Sequence, residues 1–267
     1  MIKIENKFII ALMNVKRNYV IFFFLFATII VFGQDEKKYT LSNKIIDINI
    51  GYNYQIPSAD LINRFGNFNS IYVGASLKTR NQWFISTEAN YMFGPEIKEI
   101  NILNNVSNSS GIINDENGNP GKYAVGMRGY GFYARLGKIF PISRYNKNSG
   151  IIAMIGVGYM FHWINFNTPQ DNIKQLGSEY QKGYDRLTAG YTNNLFLGYL
   201  HHAQNRLVNF YVGLDMINAY TQSVRGYNFD ERKRDEAQRL DQIFSLRFGW
   251  LIPIYLNSKD ENEFDYK

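Results

Sequence analysis

The chain has 267 residues, no cysteine, and many aromatic side chains, with 20 Tyr, 20 Phe and 3 Trp. This length fits one domain, the aromatic content argues against a disordered chain, and the lack of Cys excludes disulfide frameworks, thiol catalysis and Cys-based zinc sites. The formal net charge of +6 falls to +3 once residues 1–33 are set aside, and the remaining charges are scattered, so no nucleic-acid partner is expected.

Residues 1–33 have the pattern of a secretory signal peptide. Lys16 and Arg17 precede an apolar run, 20–32, that is shorter than the roughly 20 residues a membrane-spanning helix needs. Val31 and Gly33 are small residues at the expected cleavage position. An uncleaved N-terminal anchor is the alternative, and either Met1 or Met13 could begin the chain. We take 34–267 as the mature protein.

The mature chain shows apolar residues at every second position, the pattern of strands with two different faces. In 43–54, for example, Ile48 and Ile50 alternate with Asp47 and Asn49. The same alternation occurs in seven further segments: 71–78, 82–93, 122–138, 151–164, 188–200, 207–217 and 241–253. The sequence therefore predicts eight strands.

The residues on each face favour a strand that crosses a membrane over one in a soluble sandwich. The polar face carries charged residues, which a dry sandwich core would not accept without partners. The apolar face often ends in an aromatic residue, such as Trp83, Tyr91 or Trp250, as in the aromatic girdles of outer-membrane barrels. A soluble exported barrel or sandwich with the faces reversed is the alternative.

The connections between the strands alternate between long and short along the whole chain: 55–70, 79–81, 94–121, 141–150, 165–187, 201–206 and 218–240. Outer-membrane barrels have this rhythm, with long extracellular loops and short periplasmic turns. The fold prediction is all-β: an eight-stranded antiparallel transmembrane up-and-down β-barrel, after a cleaved signal peptide. Its four long loops are expected outside the cell, and both termini in the periplasm.

The signal ending in FGQ, the Tyr- and Asn-rich strands and the closing run 244–255 (FSLRFGWLIPIY) resemble uncharacterised outer-membrane β-barrel proteins of Bacteroidota. The resemblance covers essentially the whole mature chain and implies a location and a fold, with no catalytic set to carry over. The chain departs from a barrel that stops at a terminal aromatic residue. Residues 256–267 instead predict a short, acidic periplasmic tail.

Charged residues on the inward face are expected to neutralise one another inside the barrel. Eight strands enclose a space that side chains can just fill, and ion pairs in such a space need close partners. Inward-facing glycines would make room for the long side chains. The predicted lumen polar network consists of Asp47, Glu88, Arg135, Asp215 and Arg247.

The sequence gives little support to catalysis, and we expect no catalytic residue, no cofactor and no metal. Hydrolysis of an acyl chain needs a nucleophile with a His base, and His162, near the end of the fifth strand, is the candidate for an enzyme that modifies lipid A or peptides at the outer leaflet. His201 and His202 fall in a short turn, where we expect solvated side chains. No G-x-S-x-G element is present.

Long loops in a compact fold are usually functional or mobile, so the last loop is the candidate docking surface. Its segment 230–239 is highly charged and could form a short helix supported by an Asp230–Arg234 pair. Aromatic and Arg residues are favoured at protein interfaces, and Arg side chains also bind the phosphates of lipopolysaccharide. The candidate docking residues are Arg225, Tyr227, Phe229, Arg232 and Arg234.

Together these features predict a non-enzymatic outer-membrane barrel that acts through its loops, as a structural protein or as an accessory subunit of an assembly or secretion complex. The expected partners are outer-membrane lipid, lipopolysaccharide and other outer-membrane proteins. A small passive pore is a further alternative, although a filled lumen argues against it.

Overall fold

A computed structural model of the chain describes residues 43–99, 101–168, 173–203 and 208–256. The predicted signal peptide, its cleavage position and the acidic tail lie outside these residues. Within them, no helix has the length and apolar character that a membrane-spanning helix needs.

Eight antiparallel strands form one closed barrel in which each strand pairs with the next and β8 pairs with β1. The eight-stranded antiparallel barrel predicted from the sequence is thus confirmed. The strands are β1 Lys44–Ala59, β2 Phe68–Lys78, β3 Trp83–Gly94, β4 Ala124–Pro141, β5 Gly150–Asn167, β6 Thr188–His202, β7 Asn209–Ser223 and β8 Gln238–Leu256.

Long and short connections alternate, so the long ones all emerge at one end of the barrel. At this loop end are L1 (60–67), L2 (95–123), L3 (168–187) and L4 (224–237). The turn end carries the connections 79–82, 142–149 and 203–208. L1 contains a 3-10 turn, Leu61–Asn63, and L3 contains a second one, Lys174–Leu176, and a single-turn helix, α1, Ser178–Gln181.

Several strands extend further at the loop end than the alternation predicts. β1 continues to Ala59, and β7 and β8 pair as far as Gln222 and Gln238. The connection predicted at 218–240 is therefore shorter in the structure, where it is L4. Beyond the apolar band the outer face of a strand contacts water, so it carries polar residues such as Gln222, while inward residues such as Ala219 and Thr221 are buried beneath the loops. The apolar–polar contrast between the two faces is lost, and the period-two signal disappears there.

The polarity of the barrel is inverted relative to a soluble protein. Leu214, Val157 and Ile155 on the outer face are 67%, 66% and 64% exposed, whereas Arg135 and Arg247 inside are 2% and 1% exposed. Closure satisfies the backbone groups of every strand, which is a requirement for any sheet surrounded by lipid. The alternation fixes this arrangement, because successive side chains point to opposite faces.

Aromatic rings lie on the outer face near both ends of the barrel. Near the loop end, the ring centroid of Tyr130 lies 5.2 Å from that of Tyr91 and 5.5 Å from that of Phe161. The ring of Trp163 also contacts Tyr130. Near the turn end, a similar row joins Tyr199, His201, Phe210 and Phe248. Two such belts match the interfacial girdles of outer-membrane barrels.

Candidate functional site

The centre of the lumen is occupied by an ionic network of four of the five predicted residues, one from each of β3, β4, β7 and β8. Arg135 donates two hydrogen bonds of 2.8 Å to the two carboxylate oxygens of Asp215 and one of 3.0 Å to Glu88 Oε1. Arg247 donates from Nη1 to Glu88 Oε1, also at 3.0 Å, and from Nη2 to the other oxygen of Glu88. Two cations and two anions thus neutralise one another across the barrel.

Two tyrosines complete this central network, and the sequence analysis did not identify them as site residues. Tyr211 Oη accepts from Arg247 Nη2 at 2.9 Å and is 2.7 Å from Tyr72 Oη. The guanidinium of Arg247 also lies 3.9 Å above the Tyr72 ring. A Cβ at Gly51 or Gly249 would overlap the Tyr72 hydroxyl, so both glycines are needed for this close approach. The sequence does contain a signal for Tyr211, because this residue alternates with the apolar outward residues of β7 and must therefore face the lumen.

The fifth predicted lumen residue, Asp47, does not join the central network but lies nearer the turn end. Its Oδ1 is 2.9 Å from Nε2 of His202, which is buried. The expectation that His202 is a solvated turn residue is therefore wrong. His202 is the last residue of β6 and faces inward, whereas His201 faces outward between Tyr199 and Phe210. Lys78 donates to Asn148 in the same layer at 2.9 Å.

His162, the candidate for an enzyme, lies in a third buried layer near the loop end. Its Nε2 is 2.9 Å from Asp241 Oδ2, which also accepts from the Thr221 hydroxyl at 2.6 Å. The ring of Phe65 packs edge-on against it, and His162 is fully buried. Among the described residues, none forms a hydrogen bond with His162 Nδ1.

The loops close over the barrel around an apolar core of their own, although their sequences are largely polar. Each of L1, L2 and L3 contributes buried side chains to one cluster with inward residues of the strands. Its loop members are Leu61, Phe65, Ile102, Leu103, Ile113, Ile173, Leu176 and Tyr184. The loops therefore form an ordered cap, and this part of the molecule depends on contacts between segments far apart in sequence.

Two of the five candidate docking residues hold L4 to L3. Arg225 donates to both oxygens of Asp185, at 3.0 Å from Nε and 2.5 Å from Nη2, and this hydrogen bonding raises the pKa of Arg225. Phe229 packs edge-on against Tyr184, with ring centroids 5.7 Å apart, and its backbone N–H donates to Gly183. Tyr227, Arg232 and Arg234 are exposed on L4.

The highly charged segment of L4 does not form the short helix that its sequence suggested, and Asp230 does not pair with Arg234. Asp230 instead accepts two hydrogen bonds from Arg186 of L3, at 2.9 and 2.5 Å. The i,i+4 pair that forms is Asp235–Arg239, with distances of 2.7 and 2.6 Å. Burial alone would raise the pKa of Asp235, but the hydrogen bonds and charge of Arg239 hold it below its usual value. Bridging to L3 replaces local helix formation here.

Comparisons with known proteins find similarity of fold only. No protein-family model and no curated protein matches the chain, so the resemblance to Bacteroidota proteins stays a prediction. Among solved structures, Ail, the attachment invasion locus protein of Yersinia pestis, is 10% identical, with a TM-score of 0.40, over 78% of this chain and 99% of its own.

Two further solved structures are similarly distant. Neisserial surface protein A is 10% identical, with a TM-score of 0.40 over 78% of this chain and 96% of its own. The outer membrane protein OprG from Pseudomonas aeruginosa is 8% identical, with a TM-score of 0.34 over 81% of this chain and 99% of its own. Similarity this distant does not indicate the function of this chain.

Proposed function

We propose that this protein is a non-enzymatic integral outer-membrane β-barrel with a lumen filled by side chains, which acts through its loop cap as a structural or partner-binding protein. The observation that supports this most strongly is the inverted polarity of the barrel. Large apolar residues cover its outer face while two arginines and two carboxylates are buried inside. In water such an outer face would be an aggregation hazard, whereas in a bilayer it matches its surroundings.

Fractionation of cells tests the proposed location. The protein is expected in the outer-membrane fraction, to resist extraction by alkaline carbonate, and to migrate differently in SDS gels before and after boiling because the closed barrel survives detergent. Recovery as a water-soluble periplasmic protein, without detergent, would contradict the proposal.

The proposed orientation places the long loops outside the cell and both termini of the chain in the periplasm. β1 begins and β8 ends at the turn end, because an even number of antiparallel strands returns the chain to the side where it started. Since the chain has no Cys, Ser109→Cys in L2 and Arg144→Cys in a turn can each be probed with a membrane-impermeant maleimide. In intact cells only the Ser109 variant should be labelled, and the reverse result would invert the orientation.

We further propose that L4 docks another outer-membrane protein, as in an accessory subunit of an assembly or secretion complex. Tyr227, Arg232 and Arg234 are the candidate docking residues that do not bridge to L3, and they combine aromatic and cationic groups suited to interfaces. The same arginines suit lipopolysaccharide phosphates.

A photo-crosslinking residue at Tyr227 should capture a protein or lipopolysaccharide in intact cells. The same residue at Ile142, which is 67% exposed at the turn end, is the matched control and should not give that adduct. A protein extracted in mild detergent as a monomer, with no adduct from Tyr227, would exclude the docking role.

A further inference from the structure

The fold separates charges that are scattered along the sequence. Among the described residues, the loop end carries twelve cationic and twelve acidic side chains, and the central network of the lumen carries two of each. The turn end carries six cations and one carboxylate, that of Asp47, which is buried against His202. The whole positive excess of the described barrel therefore lies at the turn end.

The exposed charges of the described turn end are all positive: Lys44, Arg80, Lys138, Arg144 and Lys147. Three of them belong to one stretch, which is the end of β4 and the turn that follows it. This turn is fixed in place, because Asn148 Oδ1 accepts from Lys78 at 2.9 Å and from the backbone N–H of Asn43 at 3.0 Å. The side chain of Gln82 also donates to the Lys147 carbonyl at 2.8 Å. We call Lys138, Arg144 and Lys147 the basic edge.

Large apolar side chains are exposed beside the basic edge. Phe140 and Ile142 are 54% and 67% exposed. Trp83 points outward next to β4, and the Lys138 ammonium lies 5.5 Å from the centroid of its ring. Aromatic rings and the long stems of Lys and Arg typically occur where a bilayer changes from acyl chains to headgroups. When the outer face is surrounded by lipid, the basic edge therefore lies at the level of the headgroups.

We propose that the basic edge binds the phosphate groups of anionic phospholipids in the leaflet that surrounds the turn end. The inference rests on the membrane-spanning role proposed above, but it holds for either orientation of the barrel. Lys and Arg form charge-assisted hydrogen bonds with phosphate oxygens. A soluble acidic partner would be attracted by the same charges, but it would not explain the exposed Phe140 and Ile142. A phospholipid explains both features, since its acyl chains contact the apolar residues while its phosphate contacts the cations.

Quenching of Trp83 fluorescence by brominated lipids tests the proposal, because Trp83 lies beside Lys138. Trp163→Phe with Trp250→Phe leaves Trp83 as the only tryptophan of the chain, which is then folded into vesicles of equal parts phosphatidylcholine and phosphatidylglycerol. Bromine is placed on the acyl chains of one lipid at a time. Phosphatidylglycerol should be enriched roughly fivefold around Trp83, which is the effect of about one well-placed cation at an anionic surface. Equal quenching by the two lipids would overturn the proposal.

A pair of double variants tests whether the basic edge causes the enrichment. Arg144→Gln with Lys147→Gln keeps the contact of Lys138 with Trp83 and should lower the enrichment to about twofold or less. Lys174→Gln with Lys182→Gln removes the same charge from exposed positions of L3 and should leave the enrichment unchanged. An unchanged enrichment in the first variant, or an equal loss in both, would contradict the assignment.

Brominated phosphatidylcholine separates a failure of this proposal from a failure of the proposed function. If neither lipid quenches Trp83, the turn end does not contact acyl chains and the transmembrane arrangement is wrong. If phosphatidylcholine quenches Trp83 without enrichment of phosphatidylglycerol, only the phosphate site is wrong. Enrichment that appears only after removal of 257–267 would make the acidic tail the occupant of the basic edge, and would also overturn the proposal.

Discussion

Glu88 accepts hydrogen bonds from both Arg135 and Arg247, and Asp215 does the same, so each carboxylate joins the two arginines of the central network. A buried ion pair contributes little net stability compared with an apolar pair of the same shape, but removing one partner leaves an uncompensated charge. Removing any one of the four side chains is therefore expected to destabilise the barrel, because its former partners keep an unbalanced buried charge.

Replacing Glu88 with Gln should destabilise the barrel by about 3–5 kcal/mol, since two guanidinium groups would share the single carboxylate of Asp215. Urea unfolding in micelles, followed by tryptophan fluorescence, measures this. Glu179→Gln removes one partner of an exposed pair with Lys182 and should change stability by less than about 1 kcal/mol. Equal effects of the two substitutions would show that the network does not hold a strict charge balance.

At the scale of single residues, the period-two pattern predicted which charged side chains face inward but not which of them meet. Asp47 faces inward as expected, yet its contact with His202 depends on the height of each residue along its strand. That height follows from the pairing register, which alternation alone does not encode. His202 was missed because two adjacent histidines followed by the sequence AQNR resemble a polar connection and not the end of a strand.

The loops, as elements, are joined to one another more than the sequence indicates. L4 is attached to L3 through Arg186–Asp230 and through Arg225–Asp185. Burial lowers the pKa of Arg186, but its hydrogen bonds to Asp230 and Glu99 outweigh this and raise it. Ion pairs between loops can stabilise the cap without any regular secondary structure, because each of these arginines forms two hydrogen bonds to one carboxylate.

Arg186→Gln should weaken the attachment of L4 to L3. Trypsin, which cuts after Arg232, Lys233 and Arg234, should then cleave L4 several-fold faster. The lost charged hydrogen bonds are worth roughly 1.5–3 kcal/mol each in a protected site. Lys182→Gln, in an exposed pair on the same loop, is the control and should leave the cleavage rate unchanged. A rate in the Arg186 variant equal to that of the control would show that the L3–L4 contact does not restrain L4.

The number of strands and the alternation of long and short connections were predictable, whereas strand ends and loop structure were not. Residues 218–223 belong to β7 although no apolar alternation marks them, because their outer face is polar beyond the apolar band while their inner face buries the small residues Ala219 and Thr221. The apolar core of the cap joins Leu61, Ile113 and Leu176 from three loops. Contacts between segments so far apart leave no local signal, so the cap could not be predicted from the sequence.

For the whole molecule, the outer face provides a direct test of the membrane environment. Leu214→Arg, near the middle of β7, should cost about 2–4 kcal/mol in phospholipid vesicles, since an outward charge at the middle of a bilayer is destabilising. Val224→Arg in L4, a residue that is 58% exposed, should be neutral. If the two substitutions have the same small effect on urea unfolding, the outer face of β7 does not contact lipid.

The three inward layers also bear on the alternative of a passive pore. The central network, the Asp47–His202 layer and the His162–Asp241 layer occupy the lumen at three heights. We therefore expect planar bilayers that contain the purified protein to show no steady single-channel steps, with incorporation verified by gel mobility. Reproducible, ion-selective steps would establish that the lumen conducts.

The distribution of the central charges along the chain has a consequence for how the barrel is assembled. Glu88 and Arg135 belong to the hairpin of β3 and β4, and Asp215 and Arg247 belong to the hairpin of β7 and β8. Each hairpin thus brings one acid and one base whose side chains lie 3.0 Å and 3.5 Å apart, respectively. Each hairpin can therefore enter the membrane with its own acid and base already paired, before the other hairpin has joined the barrel.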